Sequence, residues 1–323
     1  MEPLPKGANF VRAKTLWEIG LHIAGNPLTP YGGNRDMCIT VGSGGADHFT
    51  PWLRMATGSA IIAESVAKRE IELAFVNPSA LLTQAYRGVG IFKEKLPVRV
   101  VASYASWDRF VMMVDPKTGI RSIKDLKDKR YPLKVSVRED PTHSTIVLID
   151  QIFALHGFSL KEFQAWGGKL VVCGSPMDDK RRLEPLKAQN GTLEAVFDEG
   201  IRTWLPVAFD VGFVPITPTD SEFDALGKLG WRKVVLPKAR YPKLPGDSHA
   251  IDFSGWPMYT YASLPDQTAY DICGAIAARD AEMPWEQGAY HGIAQIGRDT
   301  DETPIDVPLH PGAERWYREH VWK

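Results

Sequence analysis

Three short polar turns carry residue types that could hold a small charged molecule: Ser43-Gly44-Gly45, Asn77-Pro78-Ser79 and Thr142-His143-Ser144. Each follows a short apolar run that reads as a strand and precedes a stretch suited to a helix. In open α/β sheets such places lie beyond the carboxyl ends of the strands, where helix N-termini offer unpaired N–H groups and partial positive charge. The guest that suits them is a small anion. One exposed helix end contributes only about 0.3 to 1 kcal/mol, so useful affinity needs several such contacts and an apolar enclosure. Ser, Gly and Asn are also ordinary turn and cap residues, and the turns gain meaning only from what surrounds them.

Around these turns stand further candidates. Asp47 and His48 follow the first turn, and with His143 they could make a metal site or an acid/base pair if two lobes close, since histidine titrates near neutrality. Arg109 and Arg138 could bind a carboxylate bidentately, or pair with the adjacent Asp108 and Glu139. Tyr104, Trp107, Trp204, Trp256 and Tyr259 fall near turns, where a flat apolar wall would serve a ligand. Gly42 to Asp47 ends in Asp where a dinucleotide fingerprint needs Gly, and Val41 to Gly45 lacks the first Gly of a nucleophile elbow. There is no phosphate-binding Gly-Lys-Ser/Thr loop and no His-Glu-x-x-His. The expectation is therefore ligand binding by Ser43, Gly44, Gly45, Asp47, His48, Asn77, Ser79, Tyr104, Trp107, Arg138, Thr142, His143, Ser144, Trp204 and Trp256, with no cofactor, no metal and no catalytic residue.

The elements that must position these residues alternate between strand and helix patterns. Strands are expected at 37–42, 72–76, 98–102, 110–114, 133–137, 169–173, 193–197, 233–236 and 258–262. Helices are expected at 10–24, 50–55, 59–69, 145–156 and 265–278, with further ones after the capping-box spacings Ser122/Asp125 and Ser159/Glu162. His310-Pro311-Gly312 is a rigid turn leading into an amphipathic end, Ala313 to Tyr317, that should dock on the body. Breaks near Asp115-Pro116 and at Pro257 suggest two chain crossings, giving a first lobe of residues 1–114 and 257–323 and a second of 115–256.

Composition bounds the function. A chain of 323 residues with 44% hydrophobic and 24% charged residues is an ordinary globular protein of about two domains. A net charge of −1 argues against nucleic-acid or anionic-membrane partners. Cys38, Cys173 and Cys273 have no metal or disulfide spacing and read as small buried groups. No apolar run is long enough to span a membrane. Arg12, Lys14, Glu18 and His22 interrupt any signal-peptide core, so the chain is expected to be cytoplasmic, or periplasmic if a leader has been removed.

Taken in order, Ile39 to Gly45, Ile71 to Ser79, Gly119 to Arg130, Thr145 to Gly157, Leu193 to Gly200 and His310 to Ala313 resemble the TAXI family, the extracytoplasmic solute-binding proteins of tripartite ATP-independent periplasmic (TRAP) transporters. The resemblance covers most of residues 37–317. It implies the two-lobed type II periplasmic binding protein fold, each lobe a mixed, mostly parallel sheet flanked by helices, with the ligand in the cleft between lobes. It also implies capture of a small organic anion, a carboxylate with or without an aromatic ring, for membrane permease subunits. Three departures stand out. Ala46-Asp47-His48-Phe49 replaces a Gly-Thr-Tyr-Tyr type segment, Asp128 replaces Gly, and Asp140 to Thr145 replaces a more Gly- and Ser-rich stretch, which points away from small amino acids and simple dicarboxylates. The alternative on the same fold is a cytoplasmic enzyme such as an aromatic-acid decarboxylase or a biosynthetic enzyme. A DNA-binding regulator would need a segment longer than the N-terminal helix.

Overall fold

The computed structural model describes residues 8–25, 38–41, 53–57, 60–174 and 179–322. Its strands form two sheets. The first has the order β1-β2-β3-β12-β4, from β1 (Cys38–Val41), β2 (Leu53–Ala56), β3 (Leu73–Phe75), β4 (Val98–Tyr104) and β12 (Trp256–Tyr261). The second has the order β10-β11-β5-β8-β6-β7, with β9 (Val214–Ile216) also on β5. Its members are β5 (Arg109–Val114), β6 (Lys134–Arg138), β7 (Lys169–Cys173), β8 (Ala195–Asp198), β10 (Lys233–Leu236) and β11 (Ser248–Asp252). Helices flank both sheets, so the molecule is a two-lobed α/β protein.

Several expectations change in detail. The chain passes from the first sheet to the second within 105–108 and back within 253–255. The expected boundary at 114/115 is thus one strand late, because β5 is buried along its whole length as a strand of the second sheet. Between the named strands, pairing is parallel at β2/β3, β6/β7 and β6/β8 and antiparallel in the other ladders, and one isolated parallel bridge joins Val100 to Leu309. Residues 53–55 are strand where a helix was expected. Met55 and Ala56 pair with Leu73 and Ala74, and Arg54 reaches the Glu72 carboxylate at 2.8 Å, so the ladder and the ion pair outweigh local helix preference. β11 lies inside a stretch rich in Pro and Gly that reads as a loop. Cys38 is exposed rather than buried, and Val11 and Leu16 of α1 (Ala8–Gly25) face solvent.

Two helices matter most for the site. α3 (Ser79–Arg87) begins immediately after Pro78, and α5 (Ser144–Leu155) begins after His143, whose Nδ1 faces the Thr145 N–H at 3.2 Å. Both drive apolar faces, Leu81, Leu82 and Ala85 on one and Leu148, Ile149 and Ile152 on the other, into a single buried cluster shared by the two lobes. The tail docks as expected. α11 (Pro311–His320) is capped by His310, which is fully buried and accepts the Gly312 N–H, and it buries Trp316 and Tyr317 against the first lobe.

Candidate functional site

The first-sheet strands end in apolar side chains that face across to the turn before α5, and between them lies a cavity of about 570 Å³. Phe75, Val76 and Asn77 come from the end of β3. Tyr104 comes from the end of β4, and Trp256 and Met258 from β12. Side chains alternate along β12, so Met258 lines the cavity while Tyr259 is fully buried, and the register against β4 shifts between them, passing over Val101. Asp140, Thr142, His143 and Ser144 form the opposite side, and Met283, Pro284 and Trp285 form a third wall.

Of the residues expected to bind a ligand, Asn77, Tyr104, Thr142, His143, Ser144 and Trp256 are brought together around this space. Ser79 lies two residues beyond Asn77, 6% exposed at the start of α3. Ser43, Gly44, Gly45, Asp47 and His48 lie outside the described residues. Three others sit elsewhere. Trp107 is covered by two guanidinium groups, Arg240 at 3.7 Å and Arg109 at 4.4 Å from its ring centre. Trp204 is fully buried in the second lobe and donates its indole N–H to the Glu199 carbonyl at 2.9 Å, so its role is packing. Arg138 stands behind His143, its Nη2 3.2 Å from the imidazole Nε2.

The polar side chains of Thr57, Asn77, Tyr104 and His143 line the cavity, and two further polar features adjoin it. The first is the pair of helix N-termini. The N–H groups of Ser79 and Ala80 have no hydrogen-bond partner among the described residues, and the same holds for the N–H and hydroxyl of Ser144, itself 6% exposed. The second is the Asp140 turn, whose carboxylate accepts from both the N–H and the hydroxyl of Thr142 at 2.8 Å. Among the described residues no Lys or Arg lines the cavity, and no cluster of three or more His, Cys, Asp or Glu is placed to hold a metal ion.

Behind His143 a chain of buried charges runs to the crossing between lobes. Arg138 donates to Glu199 at 2.8 Å and to the Gly174 carbonyl at 2.7 Å. The Glu199 carboxyl is hydrogen-bonded to that of Asp108, and Asp108 accepts from the N–H groups of Arg109 at 2.7 Å and Gly200 at 2.8 Å. Two carboxyl groups can be joined in this way only if one keeps a proton. Burial, followed by the charge of Asp108, pushes Glu199 up to about 8, and burial also raises Asp108. Burial raises the neighbouring Asp198 to about 6 against the pull of Arg182 and Arg138. The other crossing strand is tied in as well. Ser254 accepts from the Asp108 N–H at 3.0 Å, and Arg109 bridges Ser254 and Asp252, with Nη1 2.9 Å from the Asp252 carboxylate.

Sequence reasoning missed Phe75, Met258 and the wall Met283 to Trp285. Only the Pro-Trp pair in an otherwise irregular stretch hinted at the wall. It also missed the Asp108/Glu199 pair, although Asp198-Glu199-Gly200 closing an apolar strand was a visible acidic signal.

Against solved structures the chain is similar in outline to several ligand-bound proteins, all at TM-scores below 0.5. One is a Xanthomonas citri protein bound to chloride ion, with 12% identity, 81% of this chain and 80% of that chain covered, and a TM-score of 0.39. Another is lactococcal OpuAC in its closed-liganded conformation complexed with glycine betaine, with 12% identity, 81% of each chain covered, and a TM-score of 0.34. A third is the alkanesulfonate-binding protein SsuA from Xanthomonas axonopodis pv. citri bound to MOPS, with 13% identity, 70% of this chain covered, and a TM-score of 0.30. The match spans 63% of that chain, less than two thirds of its length. The sequence itself matches the NMT1-like family model over residues 53–320. That span takes in both sheets from β2 onward and every described residue around the cavity, and on it the chain belongs to the NMT1-like family.

Proposed function

We propose that this protein is a solute-binding protein that captures a small organic anion, a carboxylate, in the cavity between its lobes and presents it to the permease subunits of a TRAP-type transporter, as in the TAXI branch. The observation that carries the reading is the convergence of two helix N-termini, with the unpartnered Ser144 hydroxyl, on one largely apolar space. A carboxylate seated there would receive N–H donors from both lobes at once. Partly buried helix ends contribute up to about 2 kcal/mol each, and a hydrogen bond to a charged acceptor about 1.5 to 3 kcal/mol. Burying about 150 Å² of apolar ligand surface adds about 4 kcal/mol at 25 cal/mol/Å². Set against the cost of immobilising the ligand, the sum supports selective capture of a small molecule.

Because the donors belong to different lobes, the ligand itself would favour the arrangement in which both reach it, and closure is limited by that differential affinity. Delivery to a permease places the working site outside the cytoplasm. Among the described residues no helix is long and apolar enough to cross a membrane. Calorimetric titration with a panel of carboxylates tests the reading. The expected result is saturable binding of at least one carboxylate, and Ser144→Trp, which fills the floor of the site, should abolish it while the circular dichroism spectrum is retained. Turnover of a panel member without saturable binding of any would instead favour an enzyme.

A further inference from the structure

Resting on that reading of the cavity, we infer that the site selects aromatic carboxylates carrying a single negative charge, in preference to aliphatic or dianionic ones. One wall is a ladder of rings. Trp256 stacks on Tyr104 with centroids 4.7 Å apart and planes 13° from parallel, and Tyr104 in turn meets Trp285 at 5.2 Å. The ladder is fixed from behind. Trp285 stacks on Tyr290 at 4.3 Å and donates its indole N–H to the Asp280 carboxylate at 2.8 Å, while the Tyr104 hydroxyl donates to the Pro284 carbonyl. Glu286, next to Trp285, is anchored by the Ser106 hydroxyl at 2.9 Å and the Trp107 N–H at 3.2 Å. These rings therefore meet a flat ligand without being ordered by it, which spares the binding step that cost.

The charges around the cavity point the same way. Arg138, which contacts the lining residue His143, already serves Glu199 and the Gly174 carbonyl. The one formally charged side chain among the described lining residues is Asp140, on the same turn as the α5 donors. Helix ends can neutralise one carboxylate, but a second would meet Asp140 with no Lys or Arg among the described lining residues beside it. Affinity beyond the first carboxylate must then come from contact with the rings.

Titration with 3-phenylpropionate, 3-cyclohexylpropionate, 3-(4-carboxyphenyl)propionate and glutarate, followed by calorimetry and tryptophan fluorescence, tests this. 3-Phenylpropionate is expected to bind at least about tenfold tighter than the saturated and the dianionic analogues, a ratio equivalent to ~1.4 kcal/mol. Trp285→Leu should weaken 3-phenylpropionate about tenfold and 3-cyclohexylpropionate less than about threefold. Tighter binding of glutarate or of the dianionic ring compound, or equal binding of the saturated analogue, overturns this inference and leaves a carboxylate-binding protein. Absence of binding by all four, joined to failure of the wider carboxylate panel, overturns the functional reading and this inference with it.

Discussion

Glu199→Gln should flatten the pH dependence of stability between pH 6 and 8, and the buried carboxyl pair sets both the direction and the size of the change. In the folded protein Glu199 is held protonated up to about pH 8, whereas in the unfolded chain it titrates at its ordinary value of 4.5. Between those values the folded state binds one proton that the unfolded state lacks, so stability falls as pH rises, by about 1.4 kcal/mol per pH unit for one such group. This contribution is fully present below pH 4.5 and is lost as pH climbs through about 8. Asp198, raised to about 6, loses most of its share at lower pH, and comparison with the glutamine variant separates Glu199 from Asp252, which burial also raises. The wild type should lose about 2 to 3 kcal/mol across it from this group. Glutamine reproduces the protonated form, with an amide N–H toward Asp108 and a carbonyl oxygen toward Arg138. Urea unfolding followed by tryptophan fluorescence from pH 5.5 to 8.5 gives the two profiles, with histidine titration common to both. Profiles that stay parallel to within about 0.3 kcal/mol per pH unit would refute a shared proton at this pair.

Two further substitutions test how the site is supported. Arg182 is completely buried, donates to Ser136 at 2.9 Å and pairs with Asp198, so Arg182→Ala leaves an uncompensated buried carboxylate and should cost about 3 to 5 kcal/mol in urea unfolding at pH 7, less at pH 5 where Asp198 is protonated. Gly312→Ala puts a Cβ into the Asp266 carbonyl oxygen at the start of α10 (Asp266–Ala278), so α11 must lift and the apparent Tm should fall by several degrees, whereas Glu314→Ala on the exposed side should leave it nearly unchanged.

How much of this was legible depended on whether the deciding contact was local. β6 and α5 could be read because Leu133 to Val137 is a short apolar run and Asp140 to Ser144 supplies the turn and cap signals within a few residues. Ser159 and Glu162 form the capping box that their spacing announces, with the Ser159 N–H 2.8 Å from the Glu162 carboxylate. By contrast, 53–56 carries no strand signature of its own, and its conformation is set by partners at 73–74. Trp107, Trp204 and Trp256 look alike in sequence. Only the fold decides that one lies under two arginines, one is core and one faces the cavity. Asp108 and Glu199 meet only because two distant segments cross near the passage between lobes, and no spacing rule within either segment encodes that.

The same long-range contacts constrain how the lobes can move. A closure expected only from two polar turns would let the lobes swing about the crossings at 105–108 and 253–255. The far ends of α3 and α5 are, however, already joined. Gln84 and Gln151 exchange amide hydrogen bonds at 3.2 and 3.1 Å, the Trp231 indole donates to Gln151 at 2.6 Å, and Arg232 bridges Asp299 and Asp306 at 2.7 and 2.9 Å. Gly230, at φ +99°, lies so close to Thr83 that a Cβ would come within 2.8 Å of its methyl group. Leaving a buried polar group such as the Gln84 amide unpaired costs about 1 to 3 kcal/mol, and loss of the part-buried Arg232 pairs adds to it. A ligand contributing a few kcal/mol of differential affinity cannot break them together. Any closure must keep this contact and pivot on it, which moves the far ends of α3 and α5 least and brings their N-termini, and the rings facing them, toward the ligand.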